Sequence, residues 1–291
     1  MTGFRPRRSM LFMPGSNARA LEKARSLPCD GVIFDLEDAV APDAKNTARE
    51  QVVAAVRAGG YGRRELIVRI NGLDTPWWRS DIEAIAGLGI DAVLVPKVED
   101  ARVFAQVEEE LVWHGGQKMA LWAMLETPRA FLHAETIATA TERLECLVIG
   151  TNDLVKDLHG QHTRDRQPVM TALGLALLVA RTYGLVALDS VYNDFKDSAG
   201  FNAECKQGRA MGFDGKTLIH PSQIEGANTA FGPSEAELAE AARIIDAFSA
   251  AKAEDKGVAV LDGRMIEDLH VKQARRLLAM AEAISNTAEI S

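Results

Sequence analysis

Two single carboxylates follow neighbouring apolar runs of the sequence and are suited to hold a metal ion. Glu126 closes the run in MALWAMLETP, and Asp153 follows the run in CLVIGTNDL. In a parallel α/β protein the loops after the strands converge on one face, so acids at these two places would lie close together. Mg²⁺ is commonly held by one or two carboxylates, with water and substrate oxygens completing the coordination. We therefore predict a divalent metal site at Glu126 and Asp153 that leaves room for a chelating substrate.

Arg69 ends another apolar run, in IVRINGLDTP, where a guanidinium is costly unless it meets an anion. Its five donors in a fixed fork suit a carboxylate, or a carbonyl oxygen that gains negative charge during a reaction. The alternative is a salt bridge to an acid on the preceding strand, which is compatible with catalysis. We interpret Arg69 as a substrate-binding and catalytic residue.

Three further strand ends carry residues capable of chemistry. FDLED places three acids in five residues, so Glu37 and Asp38 need a cation or basic neighbours, unless they only decorate a helix N-terminus. Lys97 in VLVPKVED is a candidate Schiff-base nucleophile, but we favour a structural ion pair because the metal carboxylates offer a competing account. His220 in KTLIHPSQ is either a cap or a ligand contact.

Eight strand-like runs alternate with helical patterns, which predicts an α/β TIM (β/α)8 barrel. The first run ends in PGSN and not in the GxGxxG of a dinucleotide-binding sheet. The predicted strands are Met10 to Met13, Gly31 to Leu36, Leu66 to Ile70, Ala92 to Pro96, Met119 to Leu125, Cys146 to Ile149, Leu185 to Asp189 and Thr217 to Ile219. Helices are predicted to begin near Asn17, Pro42, Thr75, Asp100, Pro128, Thr171, Ser198 and Pro221.

We place the barrel in residues 1–230 and a C-terminal helical extension in residues 231–291. The extension begins with a capping box, in which Ser234 is the N-cap and Glu237 completes the box. An extended segment at Gly257 to Met265 separates its two helices. This tail is too short for a domain, and we interpret it as a lid or oligomerisation element.

The composition excludes some classes of protein. The chain has 291 residues, 47% of them hydrophobic, with a net charge of −8 and a pI near 5.4, which argues against a nucleic-acid surface. Cys29, Cys146 and Cys205 show no metal-ligand spacing and are interpreted as reduced thiols. Without a signal-like or membrane-spanning run, we expect a cytoplasmic protein with no membrane partner.

These motifs together resemble the citrate lyase β-subunit-like CoA-ester lyases of the HpcH/HpaI aldolase/citrate lyase family. The resemblance runs from Arg8 to about Ala283 and rests on RSMLFMPGSN, VIFDLEDAVAPDAK, VRINGLDTPWW, VPKVED, LETP, GTNDL, KTLIHPSQ and DGRMIEDLHVKQA. It implies a TIM barrel with a C-terminal lid and Mg²⁺, with Mn²⁺ as a possible substitute. It also implies a CoA thioester and a 2-oxoacid as ligands, and a homotrimer or hexamer.

The resemblance assigns roles to individual residues. Glu126 and Asp153 match the Mg²⁺ ligands, and Arg69 matches the arginine that contacts the thioester or oxoacid end of the substrate. Phe12 and Lys23 match positions that touch CoA.

Other positions are carried over with departures. Asn17 replaces an arginine of the family's CoA site, which puts the CoA phosphate contacts in doubt. Glu37 and Asp38 fall in the family's acidic motif near the metal. Glu267 stands where some relatives place a catalytic Asp of the lid, and Asp268 beside it is the other candidate for that acid.

The activity that the resemblance implies is carbon–carbon cleavage of a β-hydroxyacyl-CoA, such as malyl-, citramalyl- or citryl-CoA, into acetyl- or propionyl-CoA and a 2-oxoacid, or the reverse condensation. Three alternatives stay open at this point. They are a malyl-CoA-type thioesterase, a CoA-independent class II pyruvate aldolase, and a non-catalytic protein that binds CoA esters.

Overall fold

The computed structural model describes residues 5–288, so the outermost residues of both predicted regions, 1–4 and 289–291, lie outside it. The chain divides into two compact units. One is Arg7–Ala230, and the other contains the described residues of Met1–Pro6 and Phe231–Ser291. None of the helices in residues 5–288 combines the length and apolar composition that crossing a membrane requires.

The first unit is a closed barrel of eight parallel strands, which confirms the predicted TIM barrel. The strands pair in chain order, and β8 returns to β1. They are β1 Ser9–Pro14, β2 Gly31–Asp35, β3 Glu65–Arg69, β4 Ala92–Val95, β5 Ala120–Leu125, β6 Leu144–Ile149, β7 Val186–Asp189 and β8 Gly215–Leu218. Each predicted strand overlaps one of these, with ends that differ by at most two residues.

Helices follow the strands and cover the outside of the barrel, as a parallel sheet with two buried faces requires. They are α1 Ala18–Ala24, α2 Lys45–Ala58, α3 Trp78–Ile85, α4 Arg102–Trp113, α5 Pro128–Leu132, α6 Ala134–Ala138, α7 Thr151–Asp157, α8 Met170–Thr182, α9 Ser198–Met211 and α10 Ile224–Phe231. The sequence pattern predicts one helix after each strand, and it missed α6 and α7 because β5 and β6 are each followed by two helices. Asp153 therefore lies in the first turn of a helix and not at a bare strand end.

Alternate strand residues fill the barrel interior. Trp122, Met10 and Ile33 belong to this buried cluster, together with Ile67, Ala92, Leu94, Met124, Cys146, Val148 and Leu188. Closure of the barrel depends on Gly215, because a Cβ there would lie 1.8 Å from the main-chain oxygen of Arg7. Any other residue at this position would push β8 away from the start of β1.

The second unit contains two helices joined by a hairpin. α11 Glu235–Ala253 begins at the predicted capping box of Ser234 and Glu237. The antiparallel strands β9 Ala259–Leu261 and β10 Arg264–Ile266 precede α12 Asp268–Ala288. Ala259, Ile266 and Val271 form a small buried cluster against α11. The lid or oligomerisation role of this unit stays a prediction.

Candidate active site

Most of the predicted site residues meet in a cavity at the C-terminal ends of the barrel strands. The cavity has a volume of about 400 Å³. Its lining comprises Phe12, Pro14, Asp35, Asp38, Ala39, Arg69, Met124, Glu126, residues 149–153, Val191 and Ile219. A larger cavity of about 510 Å³ shares Thr151 and Val191 with it and contains none of the predicted site residues. The predicted site residues therefore distinguish the smaller cavity.

Arg69 forms a bidentate ion pair with Asp35. The two residues are paired in the register of β2 and β3, and the guanidinium donates to both carboxylate oxygens at 2.7 and 2.6 Å. Burial alone would raise the pKa of Asp35, but the Arg69 charge and two main-chain N–H donors lower it instead. The guanidinium also lies 4.8 Å from the Phe12 ring centroid. The salt bridge to the preceding strand, which was the alternative interpretation of Arg69, is therefore present. It holds Arg69 in one orientation at the cavity wall.

Glu37 lies between two cations. Its Oε1 accepts from the Lys97 ammonium at 2.5 Å, and its Oε2 is 3.1 Å from Nη1 of Arg69. The contact with Arg69 is close enough for an ion pair, but its geometry is not that of a hydrogen bond. The buried Oε2 of Glu37 therefore lacks a hydrogen-bond partner. Burial raises the pKa of Glu37, and Arg69 and Lys97 oppose that rise. Asp38 is more exposed and is 3.5 Å from the same ammonium.

Glu126 is almost fully buried immediately after β5. Its Oε1 accepts a hydrogen bond from the main-chain N–H of Lys97 at 2.7 Å. Burial and, to a smaller extent, the charges of Glu37 and Asp153 raise the pKa of Glu126 to about 8, although the Lys97 amide and Arg69 act to lower it. A bound cation would relieve this accumulation of negative charge. This environment is compatible with a carboxylate that binds a cation.

Gly150 provides the space that Glu126 occupies. A Cβ at position 150 would lie 2.5 Å from Cβ of Glu126 and 2.8 Å from its Oε2. The backbone of Gly150 has ordinary dihedral angles, φ −113° and ψ 92°. The glycine is therefore required for clearance and not for an unusual backbone conformation.

Asp153 faces the same cavity from the first turn of α7. Its side chain is 23% exposed and accepts from Lys156 at 3.0 Å. Within residues 5–288 no three Asp, Glu, His or Cys side chains form a ready-made metal cage. A cation at this place would take one oxygen from each of the two carboxylates, with water and substrate supplying the rest. The donor set is hard, anionic and incomplete, which fits Mg²⁺ and a chelating substrate.

The two predicted CoA-contacting residues have different positions. Phe12 lines the cavity, whereas Lys23 is exposed near the end of α1. Asn17, at the position where the resemblance led us to expect an arginine, caps α1 by accepting from the main-chain N–H of Ala20 at 3.1 Å. Asn17 thus has a structural role, which accounts for the polar side chain without a CoA phosphate.

The two candidate lid acids belong to the second unit. Glu267 is exposed just before α12, and its main-chain N–H donates to Nδ1 of His270 at 3.0 Å. Asp268 binds Lys272 at 2.8 Å, and this hydrogen bond lowers the pKa of Asp268. Asp268 is therefore engaged within its own helix, while the carboxylate of Glu267 is presented to solvent.

Two further strand-end residues receive structural assignments. Nδ1 of His220 accepts a hydrogen bond from the main-chain N–H of Ser222 and so caps the short 3₁₀ segment Pro221–Gln223. The His220 ring also stacks on that of Phe195, with the ring centroids 4.6 Å apart. The Lys97 ammonium contacts Glu37 and Asp38. Burial acts to lower the pKa of Lys97, but these two acids raise it overall. A Schiff-base nucleophile must be neutral to attack, so this environment disfavours that role.

The sequence matches the HpcH/HpaI aldolase/citrate lyase family over residues 8–221. The chain belongs to this family. It is 51% identical over 280 residues to a (3S)-malyl-CoA thioesterase of Cereibacter sphaeroides, covering 96% of each chain. An L-malyl-CoA/β-methylmalyl-CoA lyase of the same species is 34% identical over 306 residues, covering 97% of this chain and 96% of the relative.

A solved structure carries the same fold. Protein CitE from Mycobacterium tuberculosis, in complex with magnesium, acetoacetate and coenzyme A, superimposes with a TM-score of 0.77 at 32% identity. The match covers 94% of this chain and 97% of CitE. The family resemblance inferred from the motifs is confirmed, and the protein is an enzyme.

The prediction that the enzyme is a carbon–carbon lyase is wrong. The thioesterase relative is 51% identical, whereas the lyase relative is 34% identical at similar coverage. Both reactions place negative charge on a thioester oxygen, so an arginine and two metal-binding carboxylates serve either one. The motifs used for the prediction could not distinguish them, and the thioesterase alternative is the better supported.

Proposed function

We propose that this enzyme hydrolyses the thioester of a malyl-CoA-type substrate, giving free CoA and a hydroxy dicarboxylate. The observation that carries the proposal is the buried Glu126 beside Asp153 and Arg69, in a family whose 51% identical member is a malyl-CoA thioesterase. A malyl group offers a hydroxyl and a carboxylate for chelation. Its thioester carbonyl would then face the guanidinium.

Glu126 and Asp153 are the proposed holders of Mg²⁺, for which Mn²⁺ would substitute. When bound, the metal would supply Lewis-acid polarisation and a fixed orientation of the chelating substrate. Arg69 would donate to the thioester oxygen as it gains negative charge, because Asp35 occupies only two of its five N–H groups. Glu37 would attract the Arg69 guanidinium through the ion pair at 3.1 Å.

The bond changes are those of thioester hydrolysis. The oxygen of a water molecule bonds to the carbonyl carbon, the carbon–sulfur bond breaks, and the sulfur leaves as the CoA thiol after gaining a proton. We propose that Glu267 of a neighbouring subunit takes the proton from the attacking water and gives it to the leaving sulfur. Phe12 and Lys23 are proposed contacts of the CoA moiety, and the homotrimer or hexamer stays a prediction that light scattering would test.

The test is thiol release from malyl-, citramalyl-, methylmalyl- and citryl-CoA by purified protein with Mg²⁺, repeated with EDTA. We expect release from malyl-CoA, its loss with EDTA, and a fall of at least about 100-fold in kcat for Glu126→Gln and Asp153→Asn. Glu50→Gln, on the exposed face of α2, is the control and should retain activity. Silence on every ester, or full activity in EDTA, would refute the proposal.

A further inference from the structure

Lys97 contacts the buried acids through two different parts of the residue. Its main-chain N–H donates to Oε1 of Glu126 at 2.7 Å. Its ammonium donates to Glu37 at 2.5 Å and lies 3.5 Å from Asp38. These contacts join the carboxyl ends of β2, β4 and β5 through a single residue.

The backbone of Lys97 is in the left-handed region, with φ 49°. A residue with a Cβ adopts this conformation only at a cost, and such strain persists where surrounding contacts fix it. Here the contacts are those to Glu126 and Glu37. The conformation directs the amide to one acid while the side chain reaches the other.

We propose that Lys97 is a positioning residue that holds Glu126 and Glu37 in the arrangement needed for thioester hydrolysis. The amide fixes Oε1 of Glu126 and so leaves Oε2 to meet the cation. The ammonium draws Glu37 toward β4, which keeps its Oε2 beside Arg69 and limits its competition for the metal. This inference rests on the proposed function, because it assigns each acid the role given there.

Substitution of Lys97 by glycine and by alanine separates the role of its ammonium from the role of its main-chain amide. Lys97→Gly removes the ammonium and accepts the left-handed backbone, whereas Lys97→Ala removes the ammonium and retains the backbone cost. The assay measures Mg²⁺ Kd by titration calorimetry, and kcat and KM for malyl-CoA, all on the full chain. Activities are normalised to the number of Mg²⁺ sites, so a loss of folded protein does not imitate a lower kcat.

We expect Lys97→Gly to lower kcat about tenfold or more, with KM and Mg²⁺ Kd within about threefold of wild type. Lys97→Ala should show the same loss in kcat, and its Mg²⁺ Kd should be roughly tenfold weaker than that of Lys97→Gly, because strain at the amide displaces Glu126. His159 is a matched control, being exposed and left-handed with φ 55°. His159→Gly and His159→Ala should have the same Mg²⁺ Kd.

Wild-type kcat in Lys97→Gly would overturn the role of the ammonium. Equal Mg²⁺ Kd values for Lys97→Gly and Lys97→Ala would overturn the role of the amide. If the wild-type protein binds Mg²⁺ but hydrolyses no CoA ester, the proposed function fails. The Kd comparison between the two variants would still decide whether Lys97 positions Glu126.

Discussion

Arg69 and Asp35 lie directly opposite each other on β3 and β2, and both oxygens of the carboxylate accept from the one guanidinium. Asp35 is 1% exposed and Arg69 is 7% exposed, so solvent offers little competition for these hydrogen bonds. A bidentate pair fixes the plane of the guanidinium as well as its position. Nη1, which Asp35 does not contact, donates to Sδ of Met124 at 3.7 Å, and Met124 also lines the cavity.

The first prediction concerns the geometry of Arg69. Lys at this position keeps a positive charge beside Asp35 but supplies neither the planar fork nor the spare donors. We expect Arg69→Lys to lower kcat for thioester hydrolysis by about 100-fold, the effect typical of losing one oxyanion donor. The measurement is steady-state thiol release. An Arg69→Lys enzyme with near wild-type kcat would exclude Arg69 from stabilising the reacting oxygen.

The second prediction concerns the pH dependence of stability. The Arg69 contact lowers the pKa of Asp35 below its ordinary 3.8, so the pair contributes stability above that pH and loses it as pH falls through the folded value. Asp35→Asn removes the bidentate partner of the buried Arg69, leaves only the Glu37 contact, and should cost about 3 kcal/mol of unfolding free energy at pH 7.

Urea unfolding of wild type and Asp35→Asn at several pH values from 3 to 7 tests this linkage. The stability difference should be constant above about pH 5 and should shrink at lower pH as the wild-type carboxylate takes up a proton. A difference that grew toward low pH would mean that the pKa of Asp35 is raised.

The third prediction concerns the clearance at Gly150. The Cβ of Gly150→Ala would meet Glu126 at 2.5 Å, and the carboxylate would have to move. We expect Mg²⁺ affinity to fall about tenfold or more, because metal sites depend on ligand placement. Gly174→Ala in α8 is the matched control, since its Cβ meets nothing within 4 Å.

The control variant should bind Mg²⁺ normally and gain up to about 1 kcal/mol of stability from improved helix propensity. Titration calorimetry and urea unfolding of the two variants give both quantities. Unchanged Mg²⁺ affinity in Gly150→Ala would show that Glu126 is not a ligand at this place.

The fourth prediction separates the two acids of the tail. Glu267→Gln should lower kcat by about 100-fold without changing Mg²⁺ affinity, as expected for a proton-transferring group that is not a ligand. Asp268→Asn should mainly lose the solvent-exposed pair with Lys272 and should leave kcat close to that of the wild type. A large loss of kcat in Asp268→Asn, with little change in Glu267→Gln, would identify Asp268 as the proton-transferring acid.

The sequence was informative where function requires a residue at a strand end. Eight apolar runs predict the barrel, and Arg69, Glu126 and Asp153, which end or closely follow three of these runs, line one cavity. The reason is physical. A buried strand reads as a continuous apolar run, so a charged residue at its end is conspicuous.

Features that depend on distant parts of the chain were missed. Asp35 was passed over in favour of Glu37 and Asp38, because its partner Arg69 is 34 residues away and is identified only by strand register. The positive φ of Lys97 and the clearance at Gly150 are equally invisible in a sequence. The distinction between lyase and thioesterase was missed because both need the same charged groups.

The most direct test of the account is product analysis of malyl-CoA turnover in ¹⁸O-labelled water with Mg²⁺. We predict one molecule of free CoA for each molecule of malate, with one ¹⁸O incorporated into the new carboxylate. Acetyl-CoA and glyoxylate formed without free thiol would contradict the account, because the carbon–carbon bond would then be the one that breaks.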